Sequence, residues 1–114
     1  MKAAREQVAR LVLAHGLDAL LDDIVLVTSE IVTNAITHGS PGGVAVLLEV
    51  AVTTDSVRVS VHDYSREVPV LRGLPPDSAQ SGRGLHLIDC LSKSWGAHAC
   101  PRDGFAKVAW AELA

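Results

Sequence analysis

The chain has 114 residues, of which 48% are hydrophobic, and this is enough for one domain with its own core and no disulfide or structural metal. The formal net charge of −3 argues against direct binding to nucleic acid, which ordinarily needs a basic face. No apolar run is long enough to cross a membrane, and residues 1–10 are too polar for a signal peptide, so we expect a cytoplasmic protein without membrane contacts.

Apolar residues at helical spacing predict two helices in the first third of the chain. The first covers residues 3–15 and ends at Gly16, a typical helix stop. The second covers residues 18–37 and is the stronger prediction, because its apolar stripe is continuous. The stripe consists of Leu20, Ile24, Val27, Ile31 and Ala35.

Alternating apolar residues predict four strands in two pairs. The first pair covers residues 44–52 and 57–63, with a turn at Thr54-Asp55 between them. The second pair covers residues 94–100 and 105–113, with the intervening residues forming a turn.

A long segment without a regular pattern lies between the two pairs of strands. Residues 64–84 contain three prolines and predict a loop, and residues 85–91 return to a helical pattern. Helices and hairpin strands that do not alternate regularly predict an α+β fold. We expect one domain over residues 1–114, a two-layer sandwich with a mixed, mostly antiparallel sheet and its helices on one face. Trp95 and Trp110 are expected to anchor the core.

Glu30 and Asn34 are four residues apart on the second predicted helix, at the flank of its apolar stripe. Polar groups directed toward a core need partners, and a bound metal ion with its water would provide them. The side-chain oxygen of Asn34 suits Mg²⁺, and the carboxylate of Glu30 can accept a proton from a nucleophile. The alternative is a helix edge hydrogen-bonded to the next segment.

Asp63 ends the second strand in phase with Val57, Val59 and Val61, so its carboxylate is expected to point into the helix layer. A carboxylate in that position needs a hydrogen-bond donor. The amino group of a purine is one candidate, and the backbone of the following turn is the alternative.

Gly82-Arg83-Gly84 follows the predicted loop and is expected to open the third helix. Glycines allow the backbone to approach a phosphate closely, and a helix N-terminus offers free amides. The alternative is simply a flexible entry to the helix. No Walker-type Gly-x-x-x-x-Gly-Lys pattern occurs, which excludes the P-loop class.

In this order the motifs resemble the GHKL superfamily, which includes DNA gyrase B, MutL and the catalytic domains of histidine kinases. Residues 29–35 resemble the N box, Asp63 the aspartate of the G1 box, and residues 82–85 the G2 box. Within this superfamily the chain resembles the anti-sigma-factor serine/threonine kinases of the RsbW and SpoIIAB type. The resemblance rests on the short length of the chain, on residues 30–39 and on residues 107–110.

The resemblance implies a Bergerat fold that binds ATP and Mg²⁺, and it assigns roles to individual residues. Asn34 would bind the Mg²⁺ that bridges the phosphates, Glu30 would be the catalytic base, and Asp63 would bind the adenine amino group. Residues 64–84 would contain the lid over the nucleotide. The residues expected at the phosphates and the lid are Gly82, Arg83, Gly84 and Leu85, with His38 as a further candidate.

The resemblance also implies partners. Kinases of this branch phosphorylate a small anti-anti-sigma protein of the STAS type and sequester a sigma factor, and the alternative is a binding module without catalysis. The sequence departs from the family at Ser65, where the G1 box usually has glycine, and it begins within the first helix rather than with an edge strand. An unprotected sheet edge predicts a possible homodimer or strand exchange.

Overall fold

The structure, a computed structural model, describes residues 2–39, 46–65 and 80–113, without the side chains at 38–39 and 80–84. Within these ranges the chain forms three helices, a short 3₁₀ turn and four strands. In chain order they are α1 (Lys2–Ala14), the 3₁₀ turn (Asp18–Leu20), α2 (Leu21–Gly39), β1 (Leu47–Val52), β2 (Val57–Asp63), α3 (Gln80–Leu91), β3 (Ser94–Arg102) and β4 (Phe105–Leu113).

The four strands form one sheet in the order β1-β2-β4-β3, and every pairing among them is antiparallel. The pairing of β2 with β4 brings together strands that are separated in sequence by a helix and a strand. In its register Val59 lies opposite Ala111, and Asp63 lies opposite Lys107. This central pairing therefore decides which side chains meet at the end of β2.

All three helices contribute to a core on one face of the sheet, as the two-layer α+β prediction requires. The apolar stripe of α2 supplies much of that core, because α2 packs against β2 and β4. Along β2, side chains that face the core alternate with side chains that face outward. Arg58 is therefore exposed, while Val57 and Val59 on either side of it are fully buried. The buried apolar residues that form this core cluster are Val8, Val12, Ile24, Val27, Ile31, Val32, Ala35, Val57, Val59, Val61, Ile88, Ala111 and Leu113.

Helix α3 begins earlier than the sequence predicts. Its first residue is Gln80 rather than Leu85, so the Gly-x-Gly motif lies in the first turns of the helix instead of preceding it. Each glycine within a helix lowers helix stability by about 1 kcal/mol relative to alanine. The packing of α3 against α2 and β3 outweighs this preference of glycine against helix. Of the predicted lid, residues 66–79 lie outside the described residues.

The hairpin between β3 and β4 turns at Asp103 and Gly104, which have φ angles of 50° and 90°. Two consecutive positive φ angles are the signature of a type I′ turn, the tight turn whose twist matches that of paired strands. Arg102 and Phe105 are therefore directly paired. Strand β3 extends two residues closer to the turn than the sequence predicts, whereas β4 begins at Phe105 as predicted. The Asp-Gly pair is the sequence signal for this turn.

Only one of the two tryptophans lies on the core side. Trp95 packs against the buried cluster, as predicted. The prediction for Trp110 is wrong, because it pairs with Ser60 and so lies on the outer face, while Ala111 faces the core. Its ring is covered by the guanidinium of Arg58 at 4.1 Å and lies directly on Gly96, where an added Cβ would be 3.1 Å from the ring.

Among the described residues, no helix combines the length and the apolar character that crossing a membrane requires.

Candidate functional site

Glu30 and Asn34 lie in the middle and second half of α2, and both side chains are half-buried. Their neighbours Ile31 and Ala35 are buried in the core, so the pair lies at the flank of the apolar stripe as the helical spacing predicts. One rigid helix thus presents a carboxylate and an amide, one turn apart, at the boundary between core and surface.

The elements that carry the other predicted site residues adjoin this helix. Helix α2 packs against both β2, which ends in Asp63, and α3, which contains the Gly-x-Gly motif. Leu85 of α3 is half-buried and packs against the core. The side chains of His38 and Arg83 and the surroundings of Gly82 and Gly84 lie outside what the structure describes, and so the expected contacts of these residues stay predictions.

The carboxylate of Asp63 points into the helix layer and is 2% exposed, as its phase on β2 predicts. Its Oδ1 accepts a hydrogen bond from the backbone N–H of Ser65 at 2.9 Å. This is the turn-capping interaction that was the alternative to purine binding, and it orients the carboxylate. The capped turn uses ordinary backbone, because Asp103 is the one non-glycine residue with positive φ in the described part of the chain. Ser65 therefore replaces a family glycine without backbone strain.

Lys107 is the site residue that the sequence analysis missed. It lies opposite Asp63 on β4, is 7% exposed, and places Nζ 3.4 Å from Oδ2 of Asp63. The signal for it was available, because Lys107 shares the phase of Ala109, Ala111 and Leu113, which are otherwise apolar. A lysine on the inward face of a strand needs an acceptor, and Asp63 is that acceptor.

The first turn of α3 offers backbone amides to an anion. In any α-helix the N–H groups of the cap residue and of the first three helical residues have no partner within the helix, and in α3 those helical residues are 80–82. The motif glycine Gly82 therefore contributes one of these amides. The helix dipole also favours negative charge at this end.

The described residues include oxygen ligands of the kind that a protein offers to Mg²⁺ in nucleotide sites. No group of three or more His, Cys, Asp or Glu side chains with metal-binding geometry occurs among them. Mg²⁺ in nucleotide sites usually has one or two protein oxygens and completes its shell with phosphate and water. The side-chain oxygen of Asn34 and the carboxylate of Glu30 fit that requirement.

Comparison with protein families agrees with this architecture. The family described as the histidine kinase-like ATPase domain matches residues 1–102 of the chain. This protein therefore belongs to the histidine kinase-like ATPase domain family. Membership implies ATP as the ligand of the site, with Mg²⁺ as its usual companion. No curated protein matches the chain significantly.

Proposed function

We propose that this chain is a cytoplasmic, ATP-dependent serine/threonine protein kinase that also acts as an anti-sigma factor. Its substrate would be a serine on a small STAS-type anti-anti-sigma protein, and its second partner would be a sigma factor. The observation that carries the proposal is the pairing of Glu30 and Asn34 on the half-buried flank of α2. A carboxylate and an amide oxygen are held there on one rigid element, next to the helix that carries the Gly-x-Gly motif, which supports their proposed roles as base and metal ligand.

Each residue has a defined task in the proposed transfer. Asn34 would bind Mg²⁺, which neutralises charge on the phosphates. Glu30 would take the proton of the substrate serine hydroxyl while the oxygen of that hydroxyl bonds to the γ-phosphorus. The bond between that phosphorus and the bridging oxygen breaks, and ADP leaves. The free amides at the start of α3 would hold phosphate oxygens during the transfer.

The test is transfer of label from γ-labelled ATP to candidate STAS-type proteins. We expect labelling of a serine by the unaltered chain and a loss of about 10²- to 10⁴-fold in the Glu30→Ala variant, since general-base catalysis contributes that much. Thr33→Ala is a suitable control, because Thr33 is exposed on the same helix. Absence of label transfer, or equal transfer by the Glu30→Ala variant, would contradict kinase activity.

A second function, a binding module without catalysis, is favoured by one observation. The carboxylate of Asp63 already has two protein partners, the N–H of Ser65 and the ammonium of Lys107. The buried carboxylate of Asp63 therefore has partners without a nucleotide. The nucleotide-free chain could then capture a sigma factor. Such a module could be nucleotide-gated or nucleotide-free. Calorimetry with Mg-ATP at millimolar concentration identifies the nucleotide-free form, which would show no heat of binding, and the label-transfer test separates the nucleotide-gated form from a kinase.

The expected homodimer belongs to the same proposal. In the described sheet β1 and β3 are the outer strands, and each presents one edge without a paired strand among the described residues. Such edges favour pairing with a second chain. Sedimentation velocity over a range of concentrations tests this, and a monomer at all concentrations would contradict it.

A further inference from the structure

A cluster of side chains lies on the outer face of the sheet, at the end of β2 that carries Asp63. It shares no member with the core cluster on the helix side. All four strands, and the residue that follows β2, contribute to this outer-face cluster. Its members are Glu49 of β1, His62 of β2, Tyr64 directly after β2, Arg102 of β3 and Phe105 of β4.

The ionic part of the cluster is centred on Oε1 of Glu49. This oxygen accepts a hydrogen bond from Nη1 of Arg102 at 2.7 Å and lies 2.9 Å from Nε2 of His62. Arg102 reaches it from the opposite outer strand, where the register of β3 shifts just before Arg102, and such an irregularity can re-aim a side chain. His62 is 3% exposed, and its Nδ1 has no hydrogen-bond partner among the described residues. Hydrogen bonding of the buried His62 ring therefore depends on Glu49.

The aromatic part of the cluster is centred on Phe105. Its ring centroid is 4.7 Å from that of Tyr64 and 6.2 Å from that of His62. Both separations lie within the range of about 4.5–7 Å in which aromatic pairs are favourable. Phe105 thus pairs with the residue before Asp63 and with the residue after it.

Asp63 lies where the strand pairing of β2 ends. Pairing with β1 stops at His62, and pairing with β4 stops at Asp63 itself. Tyr64 and Ser65 belong to no strand, yet the N–H of Ser65 is the donor that orients the carboxylate of Asp63. Strand pairing does not fix the backbone on which this hydrogen bond depends, whereas the ring contact of Tyr64 constrains it.

We propose that the outer-face cluster positions the carboxylate of Asp63 for nucleotide binding from the opposite side of the sheet, with Tyr64 as the main positioning residue. The inference rests on the proposed ATP binding and adds residues that lie on the face away from the helix layer. Because side chains alternate along a strand, His62 and Tyr64 are held on the outer face while Asp63 between them points inward. Loss of the cluster loosens the turn at Ser65, so the carboxylate spends less time in the orientation that receives the base.

The test compares substitutions at the two ends of one face of the sheet. Tyr64→Leu removes the ring contact with Phe105, and Tyr64→Phe keeps it, since that contact does not need the hydroxyl. Arg102→Gln releases Glu49 from its ion pair. The charge-matched control is Arg58→Gln, because Arg58 forms an ion pair at the other end of β2.

The first measurement needs no nucleotide. Hydrogen exchange of the Ser65 amide, followed by NMR, reports how often its hydrogen bond to Asp63 opens. Exchange should be about two- to tenfold faster in Tyr64→Leu, which corresponds to the loss of one aromatic pair. The increase should be smaller in Arg102→Gln, because that ion pair is partly exposed. Tyr64→Phe and Arg58→Gln should leave the rate unchanged.

The second measurement is calorimetric titration with Mg-ATP. Affinity should fall in the order in which Ser65 exchange rises, with Tyr64→Leu the weakest binder and Tyr64→Phe equal to the unaltered chain. Thermal unfolding of each variant gives its stability. A merely structural role would weaken ATP binding in proportion to lost stability at either end of β2, whereas positioning weakens it only at the Asp63 end.

The outcomes separate this inference from the proposed function. Faster Ser65 exchange with weaker ATP binding in Tyr64→Leu, and neither effect in Arg58→Gln, supports both. Unchanged exchange in Tyr64→Leu, unchanged ATP affinity despite faster exchange, or an equal loss of affinity in Arg58→Gln contradicts positioning while ATP binding stands. If the unaltered chain binds no ATP, both are wrong.

Discussion

Arg102 donates a hydrogen bond from Nη1 to Oε1 of Glu49 at 2.7 Å, although 53 positions separate the two residues in the chain. Arg102 ends β3 and Glu49 lies in β1, so this contact joins the two outer strands of the described sheet. Nε2 of His62 lies 2.9 Å from the same oxygen. The Arg102 guanidinium, and after it the His62 ring, hold the pKa of the Glu49 carboxyl below its usual value.

Replacement of Arg102 by Gln should therefore reduce stability at neutral pH but not in acid. A carboxyl whose pKa is lowered on folding stabilises the protein above its usual pKa of about 4.5, and this contribution is lost as the pH falls through the lowered value. Thermal unfolding from pH 7 to pH 3 should show a gap between the two proteins that narrows below pH 4.5. Carbon-detected NMR should show a higher pKa for Glu49 in the variant.

The charge-matched control for this experiment is Arg10→Gln, since Arg10 is exposed on α1. This variant should show no comparable pH dependence. A gap for Arg102→Gln that stays constant from pH 7 to pH 3 would show that the ion pair does not act through Glu49.

The buried stripe of α2 should dominate stability. Ile24 is fully buried, so Ile24→Ala should lower the free energy of unfolding by about 2–5 kcal/mol through lost burial and a residual cavity. Leu26 is two residues away but 43% exposed, and Leu26→Ala should cost much less. Urea denaturation of both variants measures the difference. Equal losses would mean that α2 does not orient its stripe toward the sheet.

The turn at Asp103 and Gly104 should be sensitive to backbone chemistry alone. Gly104 has a φ of 90° and open space around the position of a Cβ, so Gly104→Ala should cost about 1 kcal/mol through strain without any clash. Asp103→Asn should be nearly neutral, because Asn also tolerates positive φ. The midpoint of thermal unfolding measures both, and a neutral Gly104→Ala would argue against the I′ turn.

The role proposed for Asn34 predicts an effect that requires the metal. Asn34→Ala should weaken binding of ATP in the presence of Mg²⁺ and leave the weaker binding measured in EDTA unchanged. Thr33→Ala, on the exposed side of α2, should alter neither. Calorimetric titration under both conditions makes the comparison. An equal loss with and without Mg²⁺ would assign Asn34 a structural role instead.

The sequence predicted those features that depend on the periodicity of one helix or strand, but not those that depend on contacts between distant segments. The inward phase of Asp63 and the flank position of Glu30 follow from the periodicity of single elements, and both were confirmed. The partner of Asp63 depends on the pairing of β2 with β4, which are not consecutive, so Lys107 could be found only as an unexplained lysine in an apolar phase.

Two further differences between the predicted and the observed structure also depend on contacts between residues that are distant in sequence. The early start of α3 reflects packing against α2 and β3, which outweighs the preference of glycine against helix. The outward position of Trp110 is stabilised by Gly96, which leaves space for its ring, and by Arg58, whose guanidinium covers it. In both cases the neighbours that stabilise the observed arrangement are distant in sequence.

The opposite orientation of the two tryptophans gives the protein two separate optical probes. Trp95 faces the core and donates its indole N–H to Oδ1 of Asp89 on α3 at 2.8 Å, whereas Trp110 lies on the outer face beneath Arg58. In a Trp110→Phe variant, emission would come from Trp95 alone and respond to any shift of α3 relative to the sheet. In a Trp95→Phe variant, emission would respond to a partner docking on the outer face, so movement of the helix layer and contact with another protein could be followed independently.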